Sequence, residues 1–326
     1  PIDVLMSEQS QSAKPFDISV IGVIRKIIQF LSFLLVNYIA LELTFKAQGE
    51  FSEIGTYLRV LPFLQTARNP WTAGAGLTEY TFYTINQGKI PFFFLAVVAF
   101  LGLFTGRFFC GWVCPTGFIQ DLLGGLANEN MRLSVETDKS MKKFKFWLLA
   151  LMIVLFAPLG YYYVNDTTRY FDFSNSLGDL VQNPLKYFSL SEFFFVTFPG
   201  LVKHIVENLN MGYIFDREEP WKGVLFMVYI FIVAICVYKP RFYCSYLCPY
   251  AALISIFSDY SFLKLQRLPT RCPGRKECGV CERVCDMQVR ILDEPASGFT
   301  GEGECTLCLT CLDKCPHNAI KFKFGF

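Results

Sequence analysis

Charge and histidine are scarce in this 326-residue chain: 18% of its residues are Asp, Glu, Lys or Arg, and His204 and His317 are its two histidines. A soluble domain carries about 25% charged residues, so the deficit argues against a chain bathed in water on every side. Neither histidine lies in a strongly apolar segment, which leaves no ligand pair for a bis-histidine haem inside a bilayer. The net charge is +2. The basic residues sit near the ends of apolar segments and form no basic face, so no nucleic-acid partner is expected. Flavin and nucleotide fingerprints, a nucleophile triad and an acid–base pair are all lacking. The polar run Ser7–Asp17 precedes the first apolar stretch, the wrong order for a signal peptide, and a start upstream of Pro1 is expected.

Apolar residues are what the chain has in excess. They make up 53% of it, 35 of them phenylalanine, and they lie in blocks. A crossing of the hydrocarbon core takes about 20 apolar residues. Four segments approach that length: Ile27–Phe45, Pro91–Phe109, Phe146–Val164 and Val224–Tyr238. Tyr57–Leu64 is too short, and Phe188–Val206 contains Glu192, Pro199, Lys203 and His204; both read as helices in the outer interface. Trp71 and Trp221, each after a proline, read first as interfacial anchors and alternatively as walls of a quinone pocket. Arg25 and Lys26 precede the first span, Arg107, Arg132, Lys139, Lys142, Lys143 and Lys145 separate the second from the third, and Lys239 and Arg241 close the fourth. The positive-inside rule then puts both termini in the cytoplasm.

A repeat supports this topology. Arg107-Phe108-Phe109-Cys110-Gly111-Trp112-Val113-Cys114-Pro115 and Arg241-Phe242-Tyr243-Cys244-Ser245-Tyr246-Leu247-Cys248-Pro249 share the pattern R-F-aromatic-C-x-aromatic-x-C-P. Each copy closes a span, so the chain reads as two pseudo-symmetric helical hairpins about an axis along the membrane normal. The expected fold is an all-α integral membrane protein of four transmembrane helices. A small C-terminal α+β domain of the bacterial-ferredoxin type comes after them. The boundaries are a cytoplasmic segment 1–26, a membrane domain 27–258 with outer loops 46–90 and 165–221, and a cytoplasmic domain 259–326.

Thirteen cysteines could mean disulfides, but eight crowd into the last 55 residues. Such crowding suits metal and cluster sites better than loop staples. Cys305-x2-Cys308-x2-Cys311-x3-Cys315-Pro316 matches the bacterial ferredoxin run, in which three cysteines wrap one cube and the fourth reaches its neighbour. The 2-2-3 spacing followed by Pro argues against a zinc ribbon. Cys272-x5-Cys278-x2-Cys281-x3-Cys285 fits the same template, with an enlarged first gap and Asp286 where Pro is expected. With crossed ligation, cluster 1 takes Cys272, Cys278, Cys281 and Cys315, and cluster 2 takes Cys285, Cys305, Cys308 and Cys311. The alternative leaves Cys272 unligated and the cluster three-iron or labile.

Cys110/Cys114 and Cys244/Cys248 are spaced i, i+4, which puts each pair on one helix face, and the following proline is expected to end or bend that helix. Brought together, the pairs would form a four-thiolate site at the cytoplasmic rim, suited to an iron–sulfur cluster or zinc. Disulfides and plain packing of thiols stay open beside that reading. Arg107 and Arg241 read as positive-inside anchors, and Cys236, inside the fourth span, as core.

Together these features resemble the NapH/NosR-type membrane polyferredoxins, nearest to the NapH type associated with periplasmic nitrate reductase systems. The likeness covers nearly the whole chain and rests on the four spans, the two C-x3-C-P motifs and the two ferredoxin motifs. NosR-type relatives carry a flavin-binding domain before the spans and CcoG-type relatives a further domain after the clusters, and neither is expected here. The resemblance implies an electron-transfer subunit of a membrane redox complex in a prokaryotic cytoplasmic membrane. Such a subunit would hold two [4Fe–4S] clusters and exchange electrons with quinol or partner subunits. It would leave substrate chemistry to those partners, unless it acts as a quinol dehydrogenase itself. A maturation factor that reduces or loads a metal for another enzyme is the competing reading.

Overall fold

The computed structural model describes residues 20–36, 60–61, 75–126, 131–181, 190, 193, 198, 201–202 and 220–325. Helix α1 covers Val20–Val36, and the two-residue strands β1 (Val60–Leu61) and β2 (Ala75–Gly76) pair in parallel. α2 (Leu77–Asn86) leads into α3 (Phe92–Thr105), α4 (Phe108–Trp112) and α5 (Pro115–Gly124). Next come α6 (Val135–Asn165) and α7 (Thr167–Leu177), then α8 (Pro220–Tyr238), α9 (Phe242–Tyr246) and α10 (Pro249–Ser258). The C-terminal unit holds β3 (Leu263–Arg267), α11 (Val280–Arg283), α12 (Thr310–Asp313) and β4 (Ile320–Phe324).

Helices form where the spans are expected, with different limits. α6 starts eleven residues before Phe146, where Ser134 caps it and accepts from the Thr137 amide at 3.3 Å. Its 31 residues make it the one described helix long and apolar enough by itself to cross a membrane. α3 stops at Thr105 because Gly106 turns at φ 58°. Residues 37–45 of the first expected span lie outside the described residues. So do Trp71 and most of Phe188–Val206, although Leu190 and Phe193 of that stretch are buried beside Tyr229. Trp221 falls in the first turn of α8. At 60–61 the chain is a strand instead of the expected interfacial helix. The expected outer loops also contain α2 and α7.

α3-α4-α5 and α8-α9-α10 are two copies of one unit, and they interlock. α10 packs on α3, and α5 packs on α8. Gly102 of α3 accommodates Ile254 and Phe257 of α10, and Gly124 of α5 abuts Pro240. Outward faces stay apolar: Trp147 and Val154 on α6 are 73% and 69% exposed, and Phe93 on α3 and Phe231 on α8 are similarly open. Contiguous exposed apolar surface on this scale marks contact with a partner or a lipid phase. α6 buries its other face, Leu149, Met152, Phe156 and Leu159, against α2 and α10.

In the C-terminal unit β3 and β4 pair antiparallel, Leu263 opposite Phe324 and Arg267 opposite Ile320. With two short helices beside them they make a small mixed unit. Its core, Leu265, Met287, Val289, Ile291, Phe299 and Ile320, also takes in Trp112 from α4.

Gly160 on α6 meets the Ile85 carbonyl at the end of α2, with Gly88 packed beside it. A Cβ at 160 runs into backbone that cannot swing aside. Gly160→Ala is expected to cost about 1–3 kcal/mol, read as a lowered melting temperature of detergent-solubilised protein; an unchanged melt would show that this crossing is not tightly packed.

Candidate metal centre

The cysteines fall into three groups. Cys110, Cys114, Cys244 and Cys248 lie within electrostatic reach of one another and are 5–7% exposed. The two thiols of each pair do not share one helix face, which corrects the i, i+4 expectation. Cys110 and Cys244 sit in the five-residue helices α4 and α9. Cys114 and Cys248 are the N-caps of α5 and α10, with Pro115 and Pro249 at the first helical position. Proline there has no amide to waste and its φ is already helical, so it opens a new helix instead of ending one.

Two thiols therefore stand at the N-termini of ten-residue helices. The Ala251 amide approaches Cys248 Sγ at 3.4 Å, and the amides of Thr116 and Gly117 lie beside Cys114. Such termini attract negative charge. Burial nevertheless pushes the Cys114 thiol up to about 12, with Cys244 and Cys110 adding to the rise; burial raises Cys244 and Cys248 as well. Four buried thiols crowded together become thiolates readily only if a cation or cluster shares the charge.

Arg107 and Arg241 are not surface anchors. They are 0% and 1% exposed, and each reaches across the repeat. Arg107 Nη2 donates to the Cys244 carbonyl at 3.3 Å, and Arg241 Nη1 donates to the Cys110 carbonyl at 3.0 Å. Arg107 Nη1 also pairs with Glu304 at 2.5 Å, and Lys145 joins the same carboxylate. Arg241 holds Asp121 through both Nε and Nη2 at 2.7 Å, and Arg25 pairs with Asp121 at 2.5 Å. Gln29 donates to Asp121 and to the Gly111 carbonyl at 2.9 and 2.8 Å. Gln120, buried, donates to Cys244 Sγ at 3.0 Å; its counterpart in the other repeat is Ile254.

The second group, Cys272, Cys278, Cys281 and Cys315, lines one cavity together with the exposed Pro273, Pro316 and His317. The third, Cys285, Cys305, Cys308 and Cys311, is likewise mutually close. The structure thus gathers the same two crossed sets that the spacing suggests, and Cys272 stands with its set despite the longer loop. Left-handed turns at Gly279, Leu307 and Leu309 curl the chain between cysteines. Amides four residues on cap the last sulfur of each motif: Val289 N to Cys285 at 3.4 Å and Ala319 N to Cys315 at 3.3 Å.

The donor chemistry fits iron–sulfur cubes. None of the thirteen cysteines is in a disulfide. Among the described residues no three His, Cys, Asp or Glu are compact enough for a single metal ion, in either ferredoxin set or in the four-thiol site. Arg107 Nε is buried without a hydrogen-bond partner among the described residues, its guanidinium beside Cys110 and Cys244, as suits an anionic occupant.

Sequence reasoning alone does not find Gln29, Gln120, Asp121 or Glu304. Glu304 directly precedes Cys305, the one local signal that could flag it.

Fold and cysteine sites together resemble those of ferredoxin-type iron–sulfur proteins. The chain matches the family described as 4Fe-4S binding domain over residues 89–134 and 220–268; both stretches carry a C-x3-C-P motif and end before Cys272. It is similar to an uncharacterized protein of Methanocaldococcus jannaschii (26% identical, 68% of this chain, 66% of the relative). It is also similar to the putative electron transport protein YccM of Escherichia coli (27%, 76% and 60%) and to the ferredoxin-type protein NapH of Haemophilus influenzae (21%, 71% and 67%). The chain covers about two thirds or less of the length of the first two. Regulatory proteins NosR are similar as well (27% and 24% identical over 64% and 66% of this chain, about a quarter of their own length), so the chain is similar to ferredoxin-type proteins of the NapH and NosR kind. No solved structure matches it.

Burial alone would raise the Asp121 carboxyl, but Arg241 and Arg25 hold it well below the usual carboxylate range. A depressed carboxyl contributes stability that is complete above its unfolded value of 3.8 and fades as pH falls below that. Asp121→Asn is expected to lose about 3–5 kcal/mol at pH 7 by stranding two buried cations. The gap to the parent protein should narrow only below about pH 4, as thermal melts across pH would record.

Proposed function

We propose that the chain is a multi-pass iron–sulfur electron-transfer subunit of a prokaryotic cytoplasmic membrane, exchanging electrons with quinol or partner redox subunits. Two [4Fe–4S] clusters would be held by Cys272, Cys278, Cys281 and Cys315 and by Cys285, Cys305, Cys308 and Cys311. A third would be held by Cys110, Cys114, Cys244 and Cys248. Bound there, such clusters supply one-electron redox chemistry. The observation that carries the reading is the gathering of the four C-x3-C-P thiols by the reciprocal bonds of Arg107 and Arg241.

Four crossings by α1, α3, α6 and α8 are supported by the outward apolar faces that the shorter helices share with α6. A cytoplasmic ferredoxin domain is supported by the basic residues around it. Lys142 donates to the Met287 carbonyl at 2.9 Å and Arg132 to the Glu282 carbonyl at 2.8 Å; these contacts with the cation-rich end of the bundle support a cytoplasmic domain by the positive-inside rule. A maturation factor acting through reactive thiols is less well supported, because buried, raised-pKa thiols are poor nucleophiles.

Protein purified without oxygen is expected to contain iron and acid-labile sulfide for three cubes, and a Cys110→Ser, Cys244→Ser double variant for two. Equal content in both would remove the third centre. A reporter fused after Phe326 should be active only on the cytoplasmic side.

A further inference from the structure

We infer that the four-thiol site and cluster 2 exchange electrons directly across the contact between Gly111 and Thr306, with Gly111 and Trp112 as positioning residues that set their separation. This rests on reading the four thiols as a cube-binding site, and it orders the centres: four-thiol site, cluster 2, cluster 1.

Gly111 follows Cys110 and Thr306 follows Cys305, so the residues that touch are covalent neighbours of ligands to different cubes. A Cβ on Gly111 would overlap the Thr306 carbonyl, and that oxygen belongs to backbone tied at both sides. On one side, Trp112 Nε1 donates to the Leu307 carbonyl at 2.9 Å, its indole stacked on Phe108 at 5.2 Å. On the other, Glu304 is pinned by Arg107 and Lys145. Arg25 donates to the Cys308 carbonyl and to Thr310 Oγ1, both at 3.3 Å.

The second repeat does the same on the far side. Ser245, after Cys244, donates to Met287 Sδ at 3.6 Å, two residues beyond Cys285. The first cysteine of each C-x3-C-P pair is thus followed by a residue that touches a ligand segment of cluster 2. Cys272, Cys278, Cys281 and Cys315 instead surround a cavity edged by Pro273, Pro316 and His317, which suits the terminal centre of the series.

One electron leaves the donor cube, oxidising it, and reduces the acceptor; no proton or bond changes hands. An external donor such as quinol and an external acceptor redox protein complete the balance. Tunnelling falls steeply with distance, so a side chain forced in at 111 slows the exchange.

The test is electron paramagnetic resonance of dithionite-reduced, full-length protein, with cluster 1 assigned through Cys272→Ser and cluster 2 through Cys308→Ser. The parent should show spin–spin splitting between the four-thiol centre and cluster 2. Gly111→Ala should keep iron and sulfide for three cubes yet lose most of that splitting, and electron redistribution after flash photoreduction should slow several-fold. Trp112→Phe, which keeps an aromatic ring beside Phe108 but removes the indole N–H and one ring, should show a smaller loss, and it decides the matter if the alanine variant sheds iron. Unchanged splitting and rate in the deciding variant, or coupling of the four-thiol centre to cluster 1, would overturn the inference while leaving the three-cube reading intact. Iron for only two cubes in the parent would sink that reading instead.

Discussion

Arg107 and Arg241 hold full charges in positions closed to water, and that constraint dictates the arrangement around them. Burying an unpaired ion costs several kcal/mol even after relaxation, so each guanidinium must be met by a carboxylate and by carbonyls at fixed angles. Neither repeat can do this alone. Arg107 takes its carbonyl from Cys244 and its carboxylate from Glu304, 197 residues away. Arg241 takes its carbonyl from Cys110 and its carboxylate from Asp121. The two halves of the bundle and the C-terminal domain are therefore tied through two cations. A planar fork with several donors suits this, and a lysine, a point charge on a flexible stem, does not.

The reach of these ties separates what is legible in the chain from what is not. Cysteine spacing is local, so the two ferredoxin sets, the repeat and a small α+β domain can be read from motif geometry alone. Span limits are harder. Hydropathy sees composition, whereas the ends of α3 and α6 are set by Gly106 and by the Ser134 cap. Arg107 and Arg241 read as positive-inside anchors because a basic residue near a span looks the same whether its partner is water or a carboxylate far along the chain. α5 and α10 escape notice because C-P reads as a stop. The same dipeptide starts a helix when the cysteine is the cap, and the sequence marks that helix only by apolar residues at Ile119, Leu122 and Leu123 in one repeat and at Ile254 and Phe257 in the other.

One small device recurs at all three groups of thiols. Cys248 accepts from Ala251, Cys285 from Val289 and Cys315 from Ala319, all at 3.3–3.4 Å. Backbone amides aimed at sulfur stabilise negative charge on it and are one of the levers that set cluster potential. Side chains break the symmetry where the backbone keeps it. Gln120 adds a bond to Cys244 that Ile254 cannot give to Cys110, so the two halves of the four-thiol site differ electrostatically although their chain traces match.

A boundary near residue 259 marks a change of composition, not an energetic division. Trp112 lies in the core of the C-terminal domain, and Glu304 of that domain lies in the interior of the bundle. Removing the domain would strand Arg107 and Lys145, and removing the bundle would uncover Met287 and Leu307. A short segment with little core of its own gains stability from ligated clusters and from docking alike. Most of the contacts that supply the docking here run through residues close in sequence to Cys285, Cys305 and Cys308, so the interactions that hold the domain in place also fix which of its two cysteine sets faces the bundle.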